Sequence, residues 1–288
     1  MTRLPDRPAD DIVLRRPVLL AAFEGWNDAG DAATSAIEHL EQEWSARAVA
    51  ALDPDDYYDF QVNRPQVQLV DGVTRKVTWP TTRVSVCSPP SAERDVVLVR
   101  GLEPNMRWRG FCAELVAIAH QLGIEMVVTL GALLADSPHT RPVPVSGTTS
   151  DPETAAALGL EASRYEGPTG IVGVFQDACT HAGMSSVSFW AAVPHYVAQP
   201  PCPKATVALL RRIEDLLDIP VPLADLPERS RAWEHQVDEL AAEDSDVAEY
   251  IASLEEREPE TDLPEASGEA IAKEFERYLR RRDDGPRG

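Results

Sequence analysis

Unbroken apolar runs alternate along the chain with apolar residues at helical spacing. Val18–Phe23 is apolar throughout, the mark of a strand covered on both faces. A turn rich in glycine and acid follows, Glu24-Gly25-Trp26-Asn27-Asp28-Ala29-Gly30-Asp31. Ala32 to Trp44 then predicts a helix with Ala33, Ala36, Ile37 and Leu40 on one face. Asn27 or Asp28 is placed to cap it, and Asp31 to complement its first turn. Ala46–Leu52, Val67–Val70, Arg75–Trp79 and Arg83–Val86 predict short strands, with Asp71-Gly72 as a hairpin turn. Val96–Arg100 predicts another buried strand. Phe111, Leu115, Ile118 and Leu122 predict a helix over Trp108–Gly123, ended by its glycine. Glu125–Leu130 is again strand-like. The Pro-, Ser- and Thr-rich stretch from Gly131 to Ser150 predicts a long loop or irregular edge, and Asp151–Leu158 a short capped helix. Gly167–Val174 predicts a strand and turn, Val187–Val193 a buried strand, and Lys204–Leu217 a helix after a proline-dense connection. Strands alternating with helices predict an α/β fold with a mostly parallel central sheet flanked by helices.

Beyond Pro220 the composition shifts. Arg231–Glu258 predicts one long acidic helix, with Trp233, Val237, Leu240, Val247, Ile251 and Leu254 as its apolar stripe, and Ser267–Arg282 predicts another. The expected organisation is a flexible lead-in over 1–16, an α/β domain over 17–219, an acidic helical appendage over 220–282 and a disordered tail over 283–288.

Charge narrows the partners. A formal net charge of −21 over 288 residues repels nucleic-acid phosphates and anionic lipid heads, so neither nucleic acid nor membrane is expected as a partner. No run approaches the roughly 20 apolar residues of a membrane span, and Met1–Arg16 lacks the apolar core of a signal peptide, so the expected address is the cytoplasm. Cys87, Cys112, Cys179 and Cys202 are far apart, without CxxC or zinc-type Cys/His spacing, and are expected as small buried hydrophobes. Phosphate-loop, zinc-peptidase and EF-hand signatures are missing, so no cofactor and no metal are expected.

Three constellations carry candidate chemistry. Glu24, Asp28 and Asp31 lie where α/β sheets bind ligands, at a strand's end and a helix's start, but carboxylates there compete with any anion. Capping and a tight turn account for them equally well. His139 and Arg141, in Ser137-Pro138-His139-Thr140-Arg141, suit a carboxylate or phosphate, or a structural turn with Asp136. His181 and His195 flank Ser185 in sequence, without the Gly-x-Ser-x-Gly elbow of a hydrolase or a located acid. Trp26, Tyr57, Tyr58, Trp108 and Trp190 are candidate interface anchors, because aromatic rings dominate contact hot spots, or else core residues.

The ordered motifs resemble the PAC2 (proteasome-assembly-chaperone-2-like) family, in particular its actinobacterial branch. The resemblance rests on Glu24-Gly25-Trp26-Asn27-Asp28-Ala29-Gly30, Gly101-Leu102-Glu103-Pro104 with Arg107-Trp108, and Leu130-Gly131-Ala132-Leu133-Leu134-Ala135-Asp136. It extends through Pro138-His139-Thr140-Arg141-Pro142, Gly167-Pro168-Thr169-Gly170-Ile171 and Trp190-Ala191-Ala192-Val193-Pro194-His195-Tyr196. It implies a phosphorylase/hydrolase-like sheet, self-association and a role in proteasome assembly. Some archaeal relatives dock through a C-terminal hydrophobic-Tyr-any tripeptide; Gly285-Pro286-Arg287-Gly288 departs from that pattern, so a tail-mediated proteasome contact is not expected. Two readings stay open: a non-enzymatic, homo-oligomeric assembly factor, or a small-ligand binder or ATP-grasp-like or hydrolase-like enzyme using Glu24, Asp28, Asp31, His139 and Arg141.

Overall fold

The computed structural model describes residues 4–90, 92–149, 151–160, 165–197 and 199–256. Strand β1 (Val18–Glu24) enters first, then helix α1 (Ala32–Glu43), β2 (Arg47–Ala51), the single turn α2 (Pro54–Tyr57) and the hairpin β3 (Gln66–Val70) and β4 (Thr74–Thr78). They are followed by β5 (Arg83–Cys87), β6 (Val96–Leu102), α3 (Trp108–Gln121), β7 (Met126–Ala135) and β8 (Val145–Thr148). The chain continues through α4 (Pro152–Leu158), α5 (Ile171–His181), β9 (Ser185–Pro194), α6 (Pro203–Leu217), α7 (Leu226–Glu243) and α8 (Ser245–Glu255).

Seven strands form one sheet in the order β2-β5-β6-β1-β7-β9-β8. Its centre, β6-β1-β7-β9, is parallel, while the pairs β6–β5, β5–β2 and β9–β8 toward the edges are antiparallel. The unbroken apolar sequence of β1 follows from this position. Val18, Leu20 and Ala22 join a core with Ile37 and Leu40 of α1 and Leu209 and Ile213 of α6. Leu19, Ala21 and Phe23 point the other way, among Phe111 and Leu115 of α3 and Phe175 of α5. Phe23 meets the edges of Phe111 and Phe175 at centroid distances of 5.6 and 6.5 Å. Each fully buried ring or leucine contributes roughly 1.5–3 kcal/mol, so the two cores give the sheet a single register.

Three stretches differ from expectation. The Gly167–Val174 stretch holds no strand: Ile171 opens α5, whose Ile171, Phe175 and Cys179 are buried at i, i+4 and i+8. Helical spacing of buried residues prevails there over the β-preference of Ile171 and Val172. Of the stretch expected as a long loop or irregular edge, residues 131–135 continue β7, and Val145–Thr148 forms the edge strand β8 paired with β9. The single helix expected over Arg231–Glu258 is two. Asp244 turns extended, and its carboxylate accepts from the amides of Asp246 and Val247 at 2.9 and 3.3 Å, capping α8. The helix expected over Ser267–Arg282 and the tail over 283–288 lie outside the described residues.

The lead-in is tied to the sheet where it is described. Ala51 donates to the Pro5 carbonyl at 2.9 Å, and Asp95 holds Arg15 through both backbone and guanidinium. At the other end, Trp233 and Val237 of α7 belong to the same apolar core as β1 and α6. The four cysteines are free and buried. Among the described residues, no helix is long and apolar enough to cross a membrane.

Gly131 of β7 pairs with Trp190 of β9, and a Cβ on it would lie 2.5 Å from the indole. Gly131→Ala is therefore expected to cost about 1–3 kcal/mol of stability, read as a lower urea midpoint at unchanged slope.

Candidate functional site

The turn after β1 is built by its glycines and acids. Gly25 (φ +124°) and Gly30 (φ +62°) adopt backbone conformations open mainly to glycine, and a Cβ on Gly30 would lie 2.7 Å from the Cys202 Cβ. The Asn27 carbonyl accepts from the amide of Ala132 at 2.8 Å, and Asp28 forms a parallel bridge with Ala132, which clamps the turn to β7. The buried carboxylate of Asp28 accepts from the amides of Ala33 and Thr34 at 2.6 and 3.1 Å, and from the Thr34 hydroxyl. It is the acid that satisfies the first turn of α1. Burial pushes its carboxyl up to about 6, against the pull of those hydrogen bonds and with a further push from Asp31. Burial also raises Asp31 and, with help from Asp31, Glu24.

Sequence reasoning missed Glu103 as part of this site, although its motif was singled out. Its carboxylate accepts from Asn27 Nδ2 at 2.8 Å and from the Ile171 amide at 2.9 Å, and its own amide donates to the Glu24 carbonyl at 2.8 Å. One side chain thus joins the ends of β1 and β6 to the start of α5. The only local signal was an acid placed just after an apolar strand.

His139 and Arg141 face a different structure, the two C-terminal helices. His139 is 2 % exposed; its Nδ1 lies 2.8 Å from the Tyr196 hydroxyl and its Nε2 3.0 Å from Asp238 Oδ1 of α7. Its carbonyl accepts from Lys204 Nζ at 2.5 Å, and Lys204 in turn pairs with Glu234. Thr140 donates to the Glu255 carboxylate at 2.6 Å, and Arg141 to the Glu255 carbonyl at the end of α8. Rings complete this clasp: His139 meets Trp233 and Tyr196, and His195 meets Tyr250 at 5.1 Å.

The remaining candidates divide by exposure. Trp26 is 45 % exposed on the turn after β1. Trp190 is half-buried over Gly131, and Trp108 is half-buried with its indole N–H donating to the Pro104 carbonyl at 2.6 Å. Tyr57 and Tyr58 are buried, Tyr57 bonded to Glu114 and Tyr58 to Leu102 O and Thr82. Burial raises both phenols, with Glu114 adding to the effect at Tyr57. His181 lies exposed on its own helix beside Asp177, while Ser185 is 3.0 Å from the Thr154 hydroxyl. Among the described residues no three of His, Cys, Asp or Glu converge as metal ligands. A groove of about 860 Å³ lies at the far edge of the sheet, lined by Pro5, Ile12, Trp44, Val49, Val86 and Asp95, away from all these candidates.

A mixed sheet with parallel centre, strand ends closed by their own acids and a clasped helical pair defines the architecture. The chain belongs to the PAC2 family, whose model matches residues 22–241. It is similar to a PAC2 family protein of Streptomyces avermitilis, at 64% identity over 82% of this chain and 99% of that one, with a TM-score of 0.77. A Mycobacterium tuberculosis protein described as a proteasome-assembly chaperone homologue is similar at 60% identity over 81% and 99% of the two chains, TM-score 0.75. Both relatives are actinobacterial. Pyrococcus furiosus PbaA, described as an archaeal homologue of proteasome-assembly chaperone, shares the fold at 16% identity, covering 80% and 93% with a TM-score of 0.57. Comparison with curated proteins gave no match.

Asp28→Asn is expected to cost about 1 kcal/mol at neutral pH, since its NH2 takes the place of the oxygen that accepts from Thr34. Wild-type Asp28 takes up its proton near pH 6 when folded and near 3.8 when unfolded, so its contribution is fullest below 3.8 and is lost as pH rises through 6. The stability gap between wild type and variant should therefore widen by about 1 kcal/mol from pH 7.5 to pH 5, read by urea unfolding at each pH. His139→Ala should speed hydrogen exchange in residues 226–255 by roughly ten- to a hundredfold and leave β1 and β6 protected, measured by mass spectrometry.

Proposed function

We propose that this chain is a non-enzymatic, homo-oligomeric factor that binds another protein in the cytoplasm, in the manner of an assembly chaperone. The single observation that carries the reading is the structural employment of the candidate ligand groups. Asp28 caps α1, Glu103 caps α5, and His139 and Arg141 hold α7 and α8. Helix N-termini where α/β proteins bind phosphate are thereby met by the protein's own carboxylates. The likeness at 60% identity to a protein described as a proteasome-assembly chaperone homologue supports the same reading and makes proteasome subunits the first partners to seek. Trp26, large, half-exposed and carried on a clamped turn, is the proposed anchor.

A second reading keeps a small-ligand site at Glu24 and Asp31, whose carboxyls are raised by burial on the same turn. Affinity purification of the tagged chain from its own cells separates the two. Recovery of a stoichiometric partner that Trp26→Ala weakens by about tenfold or more supports the first reading. A metal or metabolite released on denaturation, with no protein partner, would sink it in favour of the second.

A further inference from the structure

Strand β2 ends the seven-stranded order, so its outer side has no neighbouring strand. The lead-in runs past that side without pairing to it. Among the described residues the two share a single backbone hydrogen bond, from Ala51 to the Pro5 carbonyl at 2.9 Å. The lead-in is fastened elsewhere instead: Gln121 of α3 donates to the Pro8 carbonyl at 2.8 Å and to Asp10 at 3.0 Å, and Asp95 holds Arg15. A strap tied at both ends thus stands off the strand, and the groove of about 860 Å³ lies between them. That volume falls within the roughly 300–1,000 Å³ of formed binding sites.

The strand is shaped for an incoming backbone. The pairing of β2 with β5 shifts register between Ala48 and Ala50, and Val49 and Ala50 both join the core of Val84 and Val97. Ala51 turns its amide outward to Pro5, and strand alternation carried across the bulge sets the amide of Ala48 on that same outer side. The facing walls are apolar, with Ile12, Leu14 and Trp44. Trp44 is 5 % exposed, and its enclosed indole N–H finds no acceptor among the described residues. A peptide brings donors and acceptors at strand spacing for the edge and a carbonyl for the indole, a combination that a compact small molecule lacks. Arg47 and Asp11 contribute one charge of each sign to the groove, so selection falls to apolar side chains.

We propose that this groove is a protein-contact site, in which an extended segment of a partner, about four residues with alternate apolar side chains, adds as a strand to the open edge of β2. This rests on the protein-binding reading above, and the site is separate from Trp26, which follows the carboxyl end of β1.

The test selects a displayed library of random decapeptides on the full chain, then follows hydrogen exchange at single amides with the selected peptide bound. The expected sequences carry apolar residues at alternate positions, and the Ala48 amide should slow by at least about tenfold on binding. N-methylation of the peptide's alternate amides should weaken binding by about tenfold for the set that faces β2 and leave it unchanged for the other set. Ala48→Pro, which removes the donor at an edge position where proline is tolerated, should weaken binding similarly, with a melting curve confirming the fold. If that variant unfolds, the methylated peptides decide alone. The proposal falls if no peptide is enriched, if the Ala48 amide is already protected in the free chain, or if bound peptide leaves that amide unchanged. A partner still recovered through Trp26 in those cases keeps the protein-binding reading while the groove fails; no peptide and no partner sink both.

Discussion

The carboxylate of Glu103 is the tie on which the carboxyl end of the sheet depends. It accepts from Asn27 and from the first amide of α5, while its own amide reaches the carbonyl of Glu24. Asp28 performs the matching task for α1, and its turn is bridged to β7. Buried helix starts leave amides that must find acceptors, and an acid from the same chain satisfies them permanently. The consequence reaches function. The usual ligand position of an open α/β sheet, outside the strand ends and against a helix N-terminus, is filled here by fixed negative charge. A phosphate arriving there would meet carboxylates already holding the donors it needs.

The same economy governs the second candidate cluster. His139, Thr140 and Arg141 have the composition of an anion site, and a sequence cannot distinguish that from a clasp. The distinction lies in Asp238 and Glu255, which supply the anions from within. Trp233 and Val237 carry the clasped helix into the core shared with β1 and α6. The compositional shift near Pro220 therefore reflects what the outer surface of α7 presents to water, while its inner stripe obeys the same apolar rule as α6.

Sequence legibility followed the range of the interactions. β1, α1 and α3 were plain because burial on both faces, or on one helical face, leaves a local pattern. The cap by Asp28 was legible because its donors lie only five and six residues away. Glu103 was not, because its partners lie 76 and 68 residues distant. The partner of His139 is 99 residues away. Where local preferences compete, the local pattern misleads: Ile171 and Val172 favour a strand, but the buried series through Phe175 and Cys179 belongs to a helix. Gly131 and the prolines after it suggest a loop, although the strand continues there paired with β9, its glycine leaving room for the Trp190 indole.

Charge and burial together locate what remains free for recognition. Acids employed as caps and clasps lie at the strand ends and under α7 and α8, where they are spent on the chain's own donors. On 238–256, Asp238, Asp244 and Glu255 are spent on the clasp and the α8 cap, while Glu239 and Glu243 lie exposed beside an exposed Leu240. The basic hairpin is likewise surplus to the sheet, which closes its order without it. Solubility alone accounts for a dispersed acid excess, but not for apolar side chains left exposed beside each pole of charge. Exposed apolar area lies beside both poles of charge, on the hairpin outside the sheet and on the outer face of the clasped helices.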